Sequence, residues 1–148
     1  MNIAMKSSEL LLDKIIDFEG CKLTAYKCPA GIWTIGVGHT KGVKQGQTIT
    51  EKQAMSLLKG DLLPFENYVN SLGVCNTQGE FDALVDLTFN IGQVRLASST
   101  LLRKIRAGAS ESEIRKEFSK WVYAGGKKLA GLVKRRQWEA DRFFGKEA

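Results

Sequence analysis

The sequence predicts an α+β fold in which a small β-hairpin lobe accompanies a larger helical lobe, with a cleft between them. Three observations carry this. Helix-start signals recur along the chain, each followed by an apolar stripe at helical spacing. One stretch, residues 22–44, reads instead as short β-type runs broken by glycines. Nothing repeats, and no low-complexity linker divides the chain. At 148 residues and 43% hydrophobic composition, it suits one domain with a core of its own.

The elements follow in order. Ser7 or Ser8 is placed to cap a first helix, whose Leu11, Leu12, Ile15 and Ile16 form one broad apolar face. Gly20 is a natural stop, so Glu19 falls where helix gives way to loop. Leu23–Tyr26 and Ile32–Val37 are the β-type runs, and Cys28-Pro29-Ala30-Gly31 between them reads as a tight turn. Pro presets φ there, and Gly is free to take a positive value. Cys28 then sits at the turn and Thr34 on the returning strand, in a hairpin lobe of about residues 20–48.

Three capping-box patterns open further helices: Thr50 to Gln53, Thr77 to Glu80 and Ser110 to Glu113. They predict helices over about 50–71, with Pro64 as a kink, then 78–90 and 111–122. Ser98 or Ser99 caps a shorter helix ending at Gly108, and a last helix runs from about Leu129 to Phe144 with Gly145 as its stop. Phe81, Leu84, Val85 and Phe89 make one core stripe; Ile114, Phe118, Trp121 and Val122 make another.

Charge is unevenly spread. The net charge is +6, yet residues 1–100 carry nine basic and ten acidic side chains, and residues 101–148 carry thirteen and six. A basic C-terminal third suits any polyanion, whether nucleic acid, lipopolysaccharide or a carboxylate-bearing bacterial wall, and equally suits solvated helix faces. No nucleic-acid recognition motif accompanies it. No run is apolar and long enough to span a membrane, and the charged first helix does not read as a secretory signal. Cys21, Cys28 and Cys75 are an odd number at a length that argues against a disulfide scaffold. Cys75 is expected as a buried, reduced thiol.

The chemistry-bearing stretch is EGCKLTAYKCPAGIWTIGVGHT, an E-x8-C-x5-T spacing running into T-I-G-x-G-H. It resembles the phage-type lysozymes, the endolysin muramidases, whose triad is Glu, then Asp or less often Cys, then Thr. The stretch from Gly79 to Gly92 is similar to that family's helix across the cleft, and Phe118–Trp121 with Gly131–Glu139 to its C-terminal signature. The resemblance implies a single lysozyme-like catalytic domain over 1–148. It implies an endolysin hydrolysing the β-1,4 bond between N-acetylmuramic acid and N-acetylglucosamine, with peptidoglycan as partner and no cofactor. It also implies a monomer that neither binds nucleic acid nor inserts into a membrane, made in the host cytoplasm and released with holin assistance. A lytic transglycosylase and a wall-binding module are the alternatives.

On that resemblance Glu19 is the general acid, with Phe18 and the helix face expected to give it apolar surroundings. Cys28 stands where Asp is commoner, as a thiolate assisting water or as a nucleophile. Thr34 holds a water through its hydroxyl. Asn90 matches a substrate-binding amide. Arg135 and Arg136 are placed to orient Glu19, to bind the acidic stem peptide, or simply to charge the helix surface. His39, the only histidine, is expected as an ion-paired anchor at the hairpin's end, since it has no partners at metal-ligand spacing.

Overall fold

The computed structural model describes residues 4–147. Along the chain the elements are α1 (Glu9–Glu19), β1 (Lys22–Lys27), β2 (Trp33–Gly36), α2 (Glu51–Leu72), α3 (Gln78–Ile91), α4 (Gln93–Ala97), α5 (Thr100–Arg106), α6 (Glu111–Phe118), β3 (Tyr123–Ala124), β4 (Lys127–Lys128) and α7 (Ala130–Phe143). They fall into two compact units. One is Glu9–Pro64; the other joins the segment before Glu9 to Phe65 and everything after it.

In the first unit, α1 ends as its sequence dictates. Gly20 takes φ +77° and returns its N–H to the carbonyl of Ile16 at 2.7 Å. Leu11, Leu12 and Ile15 are buried, as are Ile35 and Val37 of the hairpin and Ala54, Leu58 and Leu62 of α2. β1 and β2 pair antiparallel with Tyr26 opposite Thr34 and Lys27 opposite Trp33, and a register shift interrupts the ladder toward Lys22. Residues 47–49 flank the other edge of β1: Ala25 donates to Gln47, Ile49 donates to Leu23, and Thr24 bridges Thr48. α2 begins beyond the Thr50/Gln53 capping bonds and continues through Pro64, which cannot donate to Gly60.

The second unit is helical. α3 opens on a complete Thr77/Glu80 capping box and packs along α7. Gly79 is needed there, because a Cβ at that position would collide with the carbonyl of Arg142. α3 was expected to bury one stripe, yet every residue from Phe81 to Thr88 is buried, Asp82 and Asp86 included. Phe65 and Phe89 meet edge to face at 5.4 Å. Ser99 caps α5 through a bond from the N–H of Leu102, and Ser110 with Glu113 boxes α6.

Three details depart from the sequence reading. α4 was not anticipated: Gly92, at φ +94°, ends α3, and one short helix follows before Ser98. α6 stops at Phe118 rather than 122, so Trp121 and Val122 lie in the loop beyond it. That loop leads to the second unforeseen element, the β3–β4 hairpin, turned by Gly125 and Gly126 at φ +59° and +78°. Two consecutive positive φ values are what a tight two-residue hairpin turn demands. Its strands are only two residues long, too short to show a period of two.

Candidate active site

Glu19 closes α1 one turn beyond Ile15, on the line of the helix's buried face. The face runs out there, and Glu19 is exposed. The apolar surroundings expected from Phe18 are therefore not supplied by burial. The reason is local: the chain turns away at Gly20, and no further helical turn covers the carboxyl group.

Cys28 and Thr34 meet at the hairpin tip. Gly31 donates its N–H to the carbonyl of Cys28 at 2.8 Å, and Cys28 donates to the carbonyl of Ile32 at 2.9 Å. Gly31 lies at φ +79°, while no non-glycine residue has a positive φ among the described residues. This is a three-residue hairpin loop, a turn over Pro29 and Ala30 followed by a left-handed glycine. The loop aims backbone N–H groups back at the sulfur. The N–H of Ile32 lowers the Cys28 thiol pKa from its ordinary value. Partial desolvation opposes this, and Ala30, the Thr34 hydroxyl and the thiol's own backbone add to the lowering. Each donor bonds better to a thiolate than to a thiol. Thr34 is buried and donates its hydroxyl proton to the carbonyl of Ile32 at 3.0 Å.

The T-I-G-x-G-H motif has a geometric explanation. Gly36 and Gly38 take φ +64° and +73°, which turns the chain so that Ile35 and His39 exchange backbone hydrogen bonds at 2.9 and 3.0 Å. His39 then donates from Nδ1 to Asp61 on α2 at 2.8 Å and faces the carbonyl of Lys41 through Nε2 at 3.0 Å. It anchors the hairpin's far end. Among the described residues no group of three or more His, Cys, Asp or Glu side chains is arranged to hold a metal ion.

In the helical unit, Asn90 is exposed at the end of α3 and lines a cavity of about 630 Å³ with Arg95, Lys120, Trp121, Tyr123 and Leu132. Its Oδ1 accepts a hydrogen bond from Arg136 Nη2 at 2.8 Å. Arg135 was expected to orient Glu19, to bind the acidic stem peptide or to charge the helix surface. It is 4% exposed, which excludes the last of these, and it forks onto Asp86, with Nε at 3.0 Å and Nη2 at 2.8 Å.

The sequence reading missed what Arg135 belongs to. Asp86, Arg135, Arg136 and Glu139 form a buried cluster, none more than 4% exposed. Burial opposes charge on Asp86, but the bonds from Glu139 and Arg135 outweigh it and hold Asp86 below the usual carboxylate range. Burial, then the hydrogen bond to Asp86 and that residue's charge, push Glu139 well above it. Arg136 meets Glu139 through Nε and Nη2 at 2.8 and 3.1 Å. A signal for this cluster was present: Arg135, Arg136, Glu139, Ala140 and Phe143 repeat at the spacing of a buried face.

Comparison with known proteins supplies the last observation. The phage lysozyme family's sequence profile matches residues 16–139. An endolysin of Acyrthosiphon pisum secondary endosymbiont phage 1 is 42% identical over 144 residues, covering 94% of this chain and 98% of its own. An endolysin of Bacillus phage B103 is 40% identical across 95% of this chain, which spans 54% of that relative's length. The solved endolysin from Escherichia coli O157:H7 phage FAHEc1 superposes with a TM-score of 0.87 at 38% identity, covering 99% of this chain and 98% of that one.

Proposed function

The chain belongs to the phage lysozyme family, and as a peptidoglycan-hydrolysing endolysin of that family we propose that it cuts the β-1,4 bond after N-acetylmuramic acid with Glu19, Cys28 and Thr34. It is a glycoside hydrolase with a lysozyme-like α+β fold. Glu19 gives its proton to the glycosidic oxygen as the bond to the anomeric carbon breaks. A water attacks that carbon from the opposite side and passes its proton to the Cys28 thiolate, while Thr34 holds the water. The product carries an inverted anomeric centre.

The observation that carries this reading is the hairpin tip, whose turn sets the backbone of Ala30 and Ile32 and the Thr34 hydroxyl beside Cys28 and favours its charged form. Inverting hydrolysis needs a base, and an ordinary thiol is mostly protonated at neutral pH. The hairpin tip favours the charged form through Ile32, Ala30 and Thr34, which gives sulfur the part that Asp fills in other family members. In the helical unit Asn90 contacts the glycan from its cavity, whose aromatic Trp121 and Tyr123 suit sugar faces. Arg135 holds Asp86. No helix among the described residues is long and apolar enough to cross a membrane. The protein works as a monomeric single catalytic domain on the wall, made in the host cytoplasm and released by another factor.

Mass spectrometry of the fragments released from purified peptidoglycan tests the reaction. Hydrolysis gives reducing N-acetylmuramic acid ends. Anhydro-muropeptides would show a transglycosylase instead, and an absence of fragments would show a wall-binding module.

A further inference from the structure

The amide of Asn90 is not free to choose which end it presents. Its partner is Arg136, whose guanidinium carries only N–H donors, so the atom facing it at 2.8 Å must be the carbonyl oxygen. The NH2 end then points the other way, on the exposed side of the residue that lines the cavity with Trp121 and Tyr123. Among the described residues that NH2 has no hydrogen-bond partner within the chain.

Arg136 is itself immobile. It is 1% exposed, with Nε and Nη2 against Glu139 and Nη1 3.4 Å from the carbonyl of Trp121. The buried guanidinium is a cation, so its bond to the Asn90 oxygen is charge-assisted. Flipping the amide would set NH2 against guanidinium and leave both unsatisfied.

We infer that Arg136 is a positioning residue that fixes Asn90 as a hydrogen-bond donor, and that this donor reads the carbonyl oxygen of an N-acetyl group. The inference rests on the glycan-cleaving function proposed above. Among neutral groups on the glycan the acetamido carbonyl is the strongest acceptor, while a hydroxyl accepts less well. Arg136 therefore sets specificity without touching the sugar: it selects N-acetylated glycans over those lacking the acetamido group.

Calorimetric titration with chitotetraose and cellotetraose, which differ in the acetamido groups, tests this. Wild type binds chitotetraose more tightly. Asn90→Asp is isosteric but turns the donor into an acceptor, and should weaken chitotetraose about tenfold with little effect on cellotetraose, as expected for one lost hydrogen bond to a buried acceptor. Arg136→Lys keeps charge but loses the planar fork. It should narrow the preference between the two sugars in the Asn90 protein and change nothing further in an Asn90→Ala background. Equal weakening in both backgrounds would overturn the inference, as would a wild type indifferent to the two sugars or an Asn90→Asp protein that keeps the preference. Should Arg136→Lys fail to fold, Arg136→Gln is compared in the same two backgrounds with the same expected and overturning outcomes. Fragment release from peptidoglycan by wild type is scored separately, so an active enzyme with no such preference removes this inference and leaves the proposed function standing.

Discussion

The single hydroxyl proton of Thr34 has two acceptors within reach: the carbonyl of Ile32 at 3.0 Å and the sulfur of Cys28. With Cys28 as a thiol, the proton belongs to Ile32. With Cys28 as a thiolate, turning the hydroxyl toward sulfur stabilises the new charge. Such a turn would cost one hydrogen bond of a kind the protein already makes.

The first prediction concerns that coupling. The Cys28 pKa is lowered, so the thiolate fraction rises with pH and reaches half at a pH below the ordinary thiol value. The alkylation rate of Cys28, followed against pH in a Cys21→Ser, Cys75→Ala background, should show that midpoint. Thr34→Val removes one of the donors and should move the midpoint upward. A midpoint unmoved by Thr34→Val would show that the hydroxyl stays with Ile32. Cys75 should react far more slowly than Cys28, since burial, then the Glu80 charge, push it up to about 12.

Replacing the sulfur separates its chemical part from its bulk. Cys28→Ser should lose most activity, at least about 10²-fold, because a serine hydroxyl is not ionised at neutral pH and is a far poorer base. Cys28→Asp should retain substantial activity, because a carboxylate can also activate water. Turbidity clearing of permeabilised cells reads both. Equal failure of the two variants would point to chemistry that only sulfur performs.

The buried cluster predicts how stability varies with pH. Glu139 keeps its proton in the folded protein well above the unfolded value of about 4.3. The folded state therefore binds the extra proton, and this contribution falls as pH rises from the unfolded value toward the folded one. Glu139→Gln preserves a donor for Asp86 and an acceptor for Arg136 without a titrating group. Its Tm should exceed that of wild type at pH 8, with the difference shrinking toward pH 4. A constant difference across that range would show that Glu139 does not titrate in this window. Asp86, held low, acts oppositely: its contribution is present above the unfolded carboxylate value and lost as pH falls through the folded one.

Gly79 is predicted to be irreplaceable for packing rather than for chain flexibility. Alanine is normally favoured over glycine inside a helix by about 1 kcal/mol. Here its Cβ would meet the backbone carbonyl of Arg142, which cannot move without displacing α7. Gly79→Ala should therefore destabilise by about 1–3 kcal/mol in urea unfolding, the range of overpacked cores. A stabilised variant would show that α3 and α7 can part at little cost.

Local chemistry in the sequence announced much of this fold. Both the Thr77/Glu80 and Ser110/Glu113 boxes form as read, because each depends on four adjacent residues. The Cys28–Gly31 turn and the Gly20 stop form for the same reason. What stayed hidden depends on distant partners. Arg135 repeats with Glu139 and Phe143 at the spacing of a buried face, yet nothing local names its partner Asp86, 49 positions earlier. Asp86 and Asp82 sit one turn apart on a helix that buries nearly its whole circumference, a condition no single-face pattern reveals. Asn90 reads as a ligand-side amide, but nothing local in the sequence shows its bond to Arg136, a residue of α7.

The most direct test of the account is the anomeric configuration of freshly released product, read by proton NMR within minutes, before mutarotation scrambles it. Direct water attack assisted by Cys28 inverts the β-linked centre, so the new reducing end should appear first as the α anomer. Glu19→Gln should release little of either anomer. A product that appears first as β would contradict the account, because retention requires two displacements at the anomeric carbon rather than direct attack by water.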